Sequence, residues 1–118
     1  MGDDTTTQAL NKLKASPTQL SLKELRKTCA AVQVVEKWNP HAKIRQDLFG
    51  FIDILALHGV STIAIQSTSW ANVSSRAKKI AESPLVGAVR EAGWTILIHG
   101  WRKNAKTNRY ELKTLDVS

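Results

Sequence analysis

The chain has 118 residues, 42% hydrophobic and 23% charged, which excludes global disorder and suits one domain that buries a core without staples. Its net charge of +7 favours a polyanionic partner, because neutralised phosphates release counterions, with solubility as the plainer use of such charge. The single cysteine, Cys29, excludes an internal disulfide and a thiolate zinc cluster and reads as a buried, inert thiol; no apolar run is long enough to span a bilayer, and the polar stretch Met1 to Ala9 carries no secretory signal, so the expected setting is cytoplasmic.

Residues 1–16 read as a loose polar tail, with a weak helical turn around Leu10 and Leu13, and residues 17–118 as one domain. Ser16 or Thr18 can cap a first helix with Pro17 in its first turn. Leu20, Leu22, Leu25 and Ala30 give that helix an apolar side, and it carries Glu24. The β-branched content of Ala31 to Trp38 predicts a strand, closed by the turn signal Asn39-Pro40-His41. Two apolar runs follow, Phe51 to Leu57 and Thr62 to Thr68. Neither alternates cleanly, so both are expected to be buried on two faces, and His58-Gly59-Val60-Ser61 joins them as a hairpin turn.

Val73, Ala77, Ile80 and Pro84 make one helical stripe. Ser83-Pro84 then reads as the start of another helix, which stops at Gly93. Thr95 to His99 is a strand and Tyr110 to Val117 an edge strand, joined by the basic loop Arg102 to Lys106. A strand-helix-strand crossover implies a parallel pair, so the expected fold is α/β, a mixed central sheet flanked by helices.

Asp53 interrupts an apolar strand, and burying an unpaired carboxylate costs on the order of 3–5 kcal/mol. Something must compensate. If the turn centres between Gly59 and Val60, Asp53 lies opposite Gln66, and Thr68 points to the same face. Oxygen ligands on neighbouring strands suit Mg²⁺ or Mn²⁺, with Asp53 and Gln66 as the metal-binding pair. The plainer reading is a hydrogen bond between the two side chains.

Ile52 to Leu57, a short hairpin, and Ile63-Ala64-Ile65-Gln66-Ser67-Thr68 together resemble the core of the PD-(D/E)XK nucleases, in particular archaeal Holliday-junction resolvases and small phage endonuclease-like proteins. The resemblance spans roughly Thr18 to Tyr110. It implies a restriction-endonuclease-like fold, metal-dependent cleavage of DNA, and a homodimer as the working unit. Asp53 matches the metal-binding aspartate, and Gln66 stands at the second acidic ligand. Thr68 replaces the usual lysine. Glu24 matches the acidic residue of the first helix, with Glu36 as a rival, and Asp47 extends the site.

The missing lysine makes Arg76 the first replacement, since it lies at the edge of the helix stripe, whereas Lys78 and Lys79 point outward at about 100° per residue. Lys43 or Arg45 is the second. Lys43, Arg45, Arg76, Lys78 and Lys79 are candidate phosphate contacts, as are Arg102 to Arg109, and Trp70 a candidate stacking platform for a base. Trp38 and Trp94 read as packing residues, and His41, His58 and His99 have no zinc-site spacing. Two other functions fit the composition: a nuclease-like DNA-binding module without catalysis, and a protein-interaction domain.

Overall fold

The computed structural model describes residues 16–118, so the proposed tail and its turn at Leu10 and Leu13 lie outside the described residues. The first helix, α1 (Pro17–Leu25), is capped by the Ser16 side chain, which accepts from the Gln19 N–H at 3.2 Å, with Pro17 at the first helical position. The helix stops short of Ala30. The expected strand from Ala31 to Trp38 is two strands. β1 (Ala31–Val34) joins the main sheet, and β2 (Lys37–Asn39) turns away to pair with β3 (Ile44–Gln46). This hairpin is not among the elements expected from the sequence, because its strands are three residues each. Trp38, expected to pack, is 56% exposed there.

β4 (Ile54–His58) and β5 (Ser61–Ser69) form the predicted hairpin in the predicted register, with Ile54 opposite Ile65 and His58 opposite Ser61. Gly59 supplies the positive φ of 59° that the first central position of this two-residue turn requires. The run from Phe51 enters the ladder only at Ile54. Phe51 and Ile52 are fully buried core residues ahead of it, and Leu57, at 47% exposed, is not buried on both faces.

After a 3₁₀ turn at Trp70–Asn72 come α2 (Val73–Ala81) and α3 (Val86–Glu91). α3 starts two residues after Pro84, with Leu85 rather than Ser83 as its N-cap. It ends at Gly93 (φ 81°), where the Gly93 N–H reaches Arg90 and the Trp94 N–H reaches Val89, satisfying two terminal carbonyls. β6 (Thr95–Lys103) includes Arg102 and Lys103, so the basic loop is shorter than expected. β7 (Tyr110–Asp116) is the predicted edge strand.

The result is an α/β fold with a mixed sheet of order β1-β4-β5-β6-β7, in which only β5–β6 is parallel. On one face, α2 and α3 cover Ala64, Ile96 and Ile98 with Val73, Ile80, Val86 and Val89. On the other, α1 covers Ile54, Ala56 and Ile65 with Leu25, and the half-buried Cys29 packs at its margin. No helix among the described residues is long and apolar enough to cross a membrane.

The crossover settles on β6 at Gly100, where a Cβ would stand 2.2 Å from Val73 Cγ2 and 3.2 Å from Trp70 Cα. Gly87 in α3 has no atom within 4 Å of its own missing Cβ. Gly100→Ala is therefore expected to lower unfolding free energy by about 1–3 kcal/mol. Gly87→Ala is expected to raise it by up to about 1 kcal/mol. Urea unfolding of both variants checks the pair, and equal effects would contradict this packing.

Candidate metal centre

Asp53 sits where β4 begins, and backbone bonds to both neighbours fix it: its N–H donates to Ile65 O and its carbonyl accepts from Val35 N, each at 2.9 Å. Its Oδ2 accepts the Ser67 N–H at 2.9 Å. The Gln66 Nε2 lies 3.4 Å from that same oxygen and 3.4 Å from Asp47 Oδ2. Asp53 and Gln66 are both buried, and Thr68 is buried on the same face. Thr68 makes no side-chain hydrogen bond among the described residues.

Two more carboxylates converge on Asp53. Ligand oxygens of Glu36, Asp47 and Asp53 lie within 4.8 Å of one another, a group able to hold a metal ion. Glu36 follows β1 and Asp47 follows β3. Asp47 is aimed by the tight turn behind it, where Leu48 and Ile52 bond each other and Phe49 and Gly50 both take positive φ. Glu24 is not part of this group. It pairs with Lys27 at 3.0 Å on α1, and its charge acts on His99. The rival, Glu36, takes the place expected of Glu24, because the chain bends after β1 and brings Glu36 beside Asp47.

The Gln66 Oε1 is buried without a hydrogen-bond partner, and it is the one such side-chain atom among the described residues. A bare buried acceptor costs about 1–3 kcal/mol. The two bonds from Nε2 are long. Half a turn of the amide would aim the oxygen at the carboxylates, an orientation that is repulsive alone and favourable around a cation. The donor set thus fits a hard divalent ion, which takes oxygen ligands. Burial pushes the Asp53 carboxyl up to about 7, reinforced by a shared hydrogen bond with Asp47 and by the charges of Asp47 and Glu36, with the Ser67 N–H opposing.

Of the cationic candidates, Arg45 comes nearest, with Nη1 3.2 Å from Glu36 Oε1. Arg76 is half-buried on α2, the helix covering the Gln66 face, and makes no ion pair among the described residues. Lys43, Lys78 and Lys79 are exposed. Trp70 is already covered: the Arg102 guanidinium lies 3.7 Å from its ring centroid and the Lys113 ammonium 5.5 Å, while Arg102 also binds Glu111 at 2.7 Å.

The opposite face carries a polar network that sequence reasoning missed. Ser21 Oγ, fully buried on α1, meets Ser67 Oγ at 2.8 Å and His99 Nδ1 at 2.9 Å, and accepts from Trp101 Nε1 at 2.9 Å. This pins α1 to the residue whose N–H holds Asp53. Burial depresses the His99 imidazole to about 4, against a smaller upward pull from Glu24, so it is neutral at pH 7. A serine amid leucines at the buried side of a helix is the only local signal of this network.

No family model matches the chain, and neither the curated proteins nor the solved structures contain a match.

Two titrations oppose each other. His99 is lowered on folding, so its contribution is full above its ordinary pKa of 6.5 and is lost as pH falls towards 4. Asp53 is raised from 3.8 to about 7, so it weakens the fold as pH rises through that window, by about 4 kcal/mol once ionised. Asp53→Asn is expected to be the more stable protein at about pH 8 without metal, and to keep the His99 slope in acid. Urea unfolding across pH checks this; a variant no more stable than the parent in mild alkali contradicts it.

Mg²⁺ or Mn²⁺ is expected to raise the melting temperature of the parent, the stabilisation being about 2.7 kcal/mol at a hundredfold excess over Kd, and to do so less in mild acid, where protons compete. Asp53→Asn is expected to abolish the rise. Calorimetric scans with and without metal decide it.

Proposed function

We propose that this chain is a metal-dependent nuclease acting on DNA, built on a restriction-endonuclease-like fold. The observation that carries the reading is the unpartnered Gln66 Oε1 beside three convergent carboxylates, in a chain of net charge +7. An anion site would not gather three carboxylates. A bare buried amide oxygen is costly in a purely structural cluster, and a cation among the carboxylates would give it a partner once the amide turned.

Asp53, Gln66 and a carboxylate of Asp47 or Glu36 would hold Mg²⁺ or Mn²⁺, and the bound ion would supply a positioned water and offset the charge that develops on an attacked phosphodiester. Asp53 is the fixed point, because the Ser67 N–H and two backbone bonds hold its carboxylate in place. Gln66 adds a neutral oxygen, which lowers the negative charge of the site relative to a glutamate there. Thr68 brings no charge where a lysine is usual in the family that the chain resembles. Arg45, which neutralises Glu36, and Arg76, half-buried and unpaired among the described residues, take up the cationic role. Lys43, Lys78 and Lys79 hold flanking phosphates. One such site cuts one strand; cutting both strands of a duplex needs a second copy.

A second reading, a DNA-binding module without turnover, draws on the uncharged Thr68 and on Arg45 being already engaged by Glu36.

Incubating branched, nicked, single-stranded and duplex DNA with Mg²⁺ or Mn²⁺ tests the first reading. Cleavage is expected with metal and not with chelator. It is expected to fall at least about a hundredfold in Asp53→Asn, in line with the several kcal/mol a bound cation supplies. Undiminished cleavage by that variant sinks the site. Salt-dependent binding without cleavage leaves the second reading, and no binding to any DNA form removes both.

A further inference from the structure

The β2–β3 hairpin is not required by the core. Its strands pair only with each other, as a separate two-stranded sheet. A lone two-stranded hairpin is marginal in water, yet this one is carefully shaped. Asn39 Oδ1 accepts the His41 N–H at 2.9 Å and the Ala42 N–H at 3.1 Å, and Asn39 Nδ2 reaches across to Gln46 at 3.3 Å. Lys43 closes the turn in the left-handed region, at φ 56°.

What the hairpin displays is unusual for a solvated loop. Trp38 is 56% and Ile44 51% exposed. Lys37, Lys43 and Arg45 lie on it, and no acidic residue occurs between Lys37 and Gln46. Trp38 stands directly opposite Arg45, so indole and guanidinium share one face. A flat aromatic surface beside cations fits a nucleobase stacked next to its own phosphate.

The hairpin is also rooted in the metal centre. Glu36 immediately precedes β2 and Asp47 immediately follows β3, so two of the three carboxylates stand at its base. Trp38 is two residues from Glu36, about 7 Å along an extended strand.

We propose that this hairpin selects nucleic acid containing unpaired bases, with Trp38 stacking on a base whose neighbouring backbone is presented to the carboxylates. A paired duplex stacks its bases internally and offers the indole no free face; a single strand, gap or splayed arm does. The inference rests on the nuclease reading and narrows its substrate.

The test is fluorescence anisotropy with three labelled probes: oligo-dT, a duplex interrupted by an oligo-dT gap, and a fully paired duplex of equal length. Ca²⁺ serves as the cation, so that oxygen ligands are occupied. The parent is expected to bind the first two more tightly than the third. Trp38→Ala is expected to weaken those two at least about fivefold and the paired duplex less than twofold, and Trp38→Phe to restore most of the loss. Lys43→Gln is expected to weaken all three and to reduce the salt slope by about one.

The rise in melting temperature with metal is expected to be unchanged in Trp38→Ala, which reports an intact fold and centre. Equal effects of Trp38→Ala on all probes, or none, overturn the hairpin's role and leave the nuclease reading standing. Failure of the parent to bind any probe overturns the nuclease reading itself.

Discussion

The burial of one carboxylate organises this molecule. Asp53 is almost wholly shielded from water, and its ionised form has one strong donor, the Ser67 N–H, and one weak one, the Gln66 amide. Two further carboxylates are brought towards it rather than away. Folding alone would select against that arrangement, since each like charge makes Asp53 harder to ionise. Stability is given up locally, and the three carboxylates form a group that could hold a metal ion. The surrounding elements hold the arrangement in place: Val35, just after β1, and Ile65 on β5 clamp the Asp53 backbone from both sides, and the turn at Phe49 and Gly50 aims Asp47.

The two faces of the sheet divide the work. Over Gln66 and Thr68 lie α2 and α3, whose approach depends on the missing side chain of Gly100. Over Ser67 lies α1, anchored by a buried serine that joins Ser67, His99 and Trp101. Alternation along β5 therefore ties the acidic cluster to both layers: residue 66 faces one, residue 67 the other, and residue 67 also donates its amide to Asp53. Movement of either layer would be felt at the carboxylates.

Much of this was legible in the sequence, for identifiable reasons. The β4–β5 pairing follows from two apolar runs around a glycine turn, signals that are local and mutually consistent. The ladder stops at Ile54 opposite Ile65, and the Asp53 N–H bonds Ile65 rather than Gln66, so Asp53 meets Gln66 through side chains and not as the cross-strand partner expected. The β2–β3 hairpin was not legible, because strands of three residues are too short to show a period, and Trp38 looks like a core residue when its neighbours are unknown. The choice of Glu36 over Glu24 turned on where the chain bends after β1, which is tertiary. The Ser21 network joins polar residues far apart in the chain, and no periodicity announces such partners. Asp47 was placed near the site from its position on the loop, but its contact with Gln66 depends on the positive φ at Phe49, a non-glycine residue from which the sequence gives no such warning.

The anchoring of α1 also joins parts of the chain that lie far apart in sequence. Ser21 bonds residues 46, 78 and 80 positions further along the chain. The helix precedes all three partners in the chain, so its buried hydroxyl has no complete set of partners until Trp101 is in place. The carboxylates, by contrast, all fall within the segment from Glu36 to Gln66, whose antiparallel strands can meet sooner. The acidic cluster can thus be assembled from strands close together in the chain, whereas the helix that steadies Ser67 needs the sheet as far as Trp101 before its buried hydroxyl is satisfied.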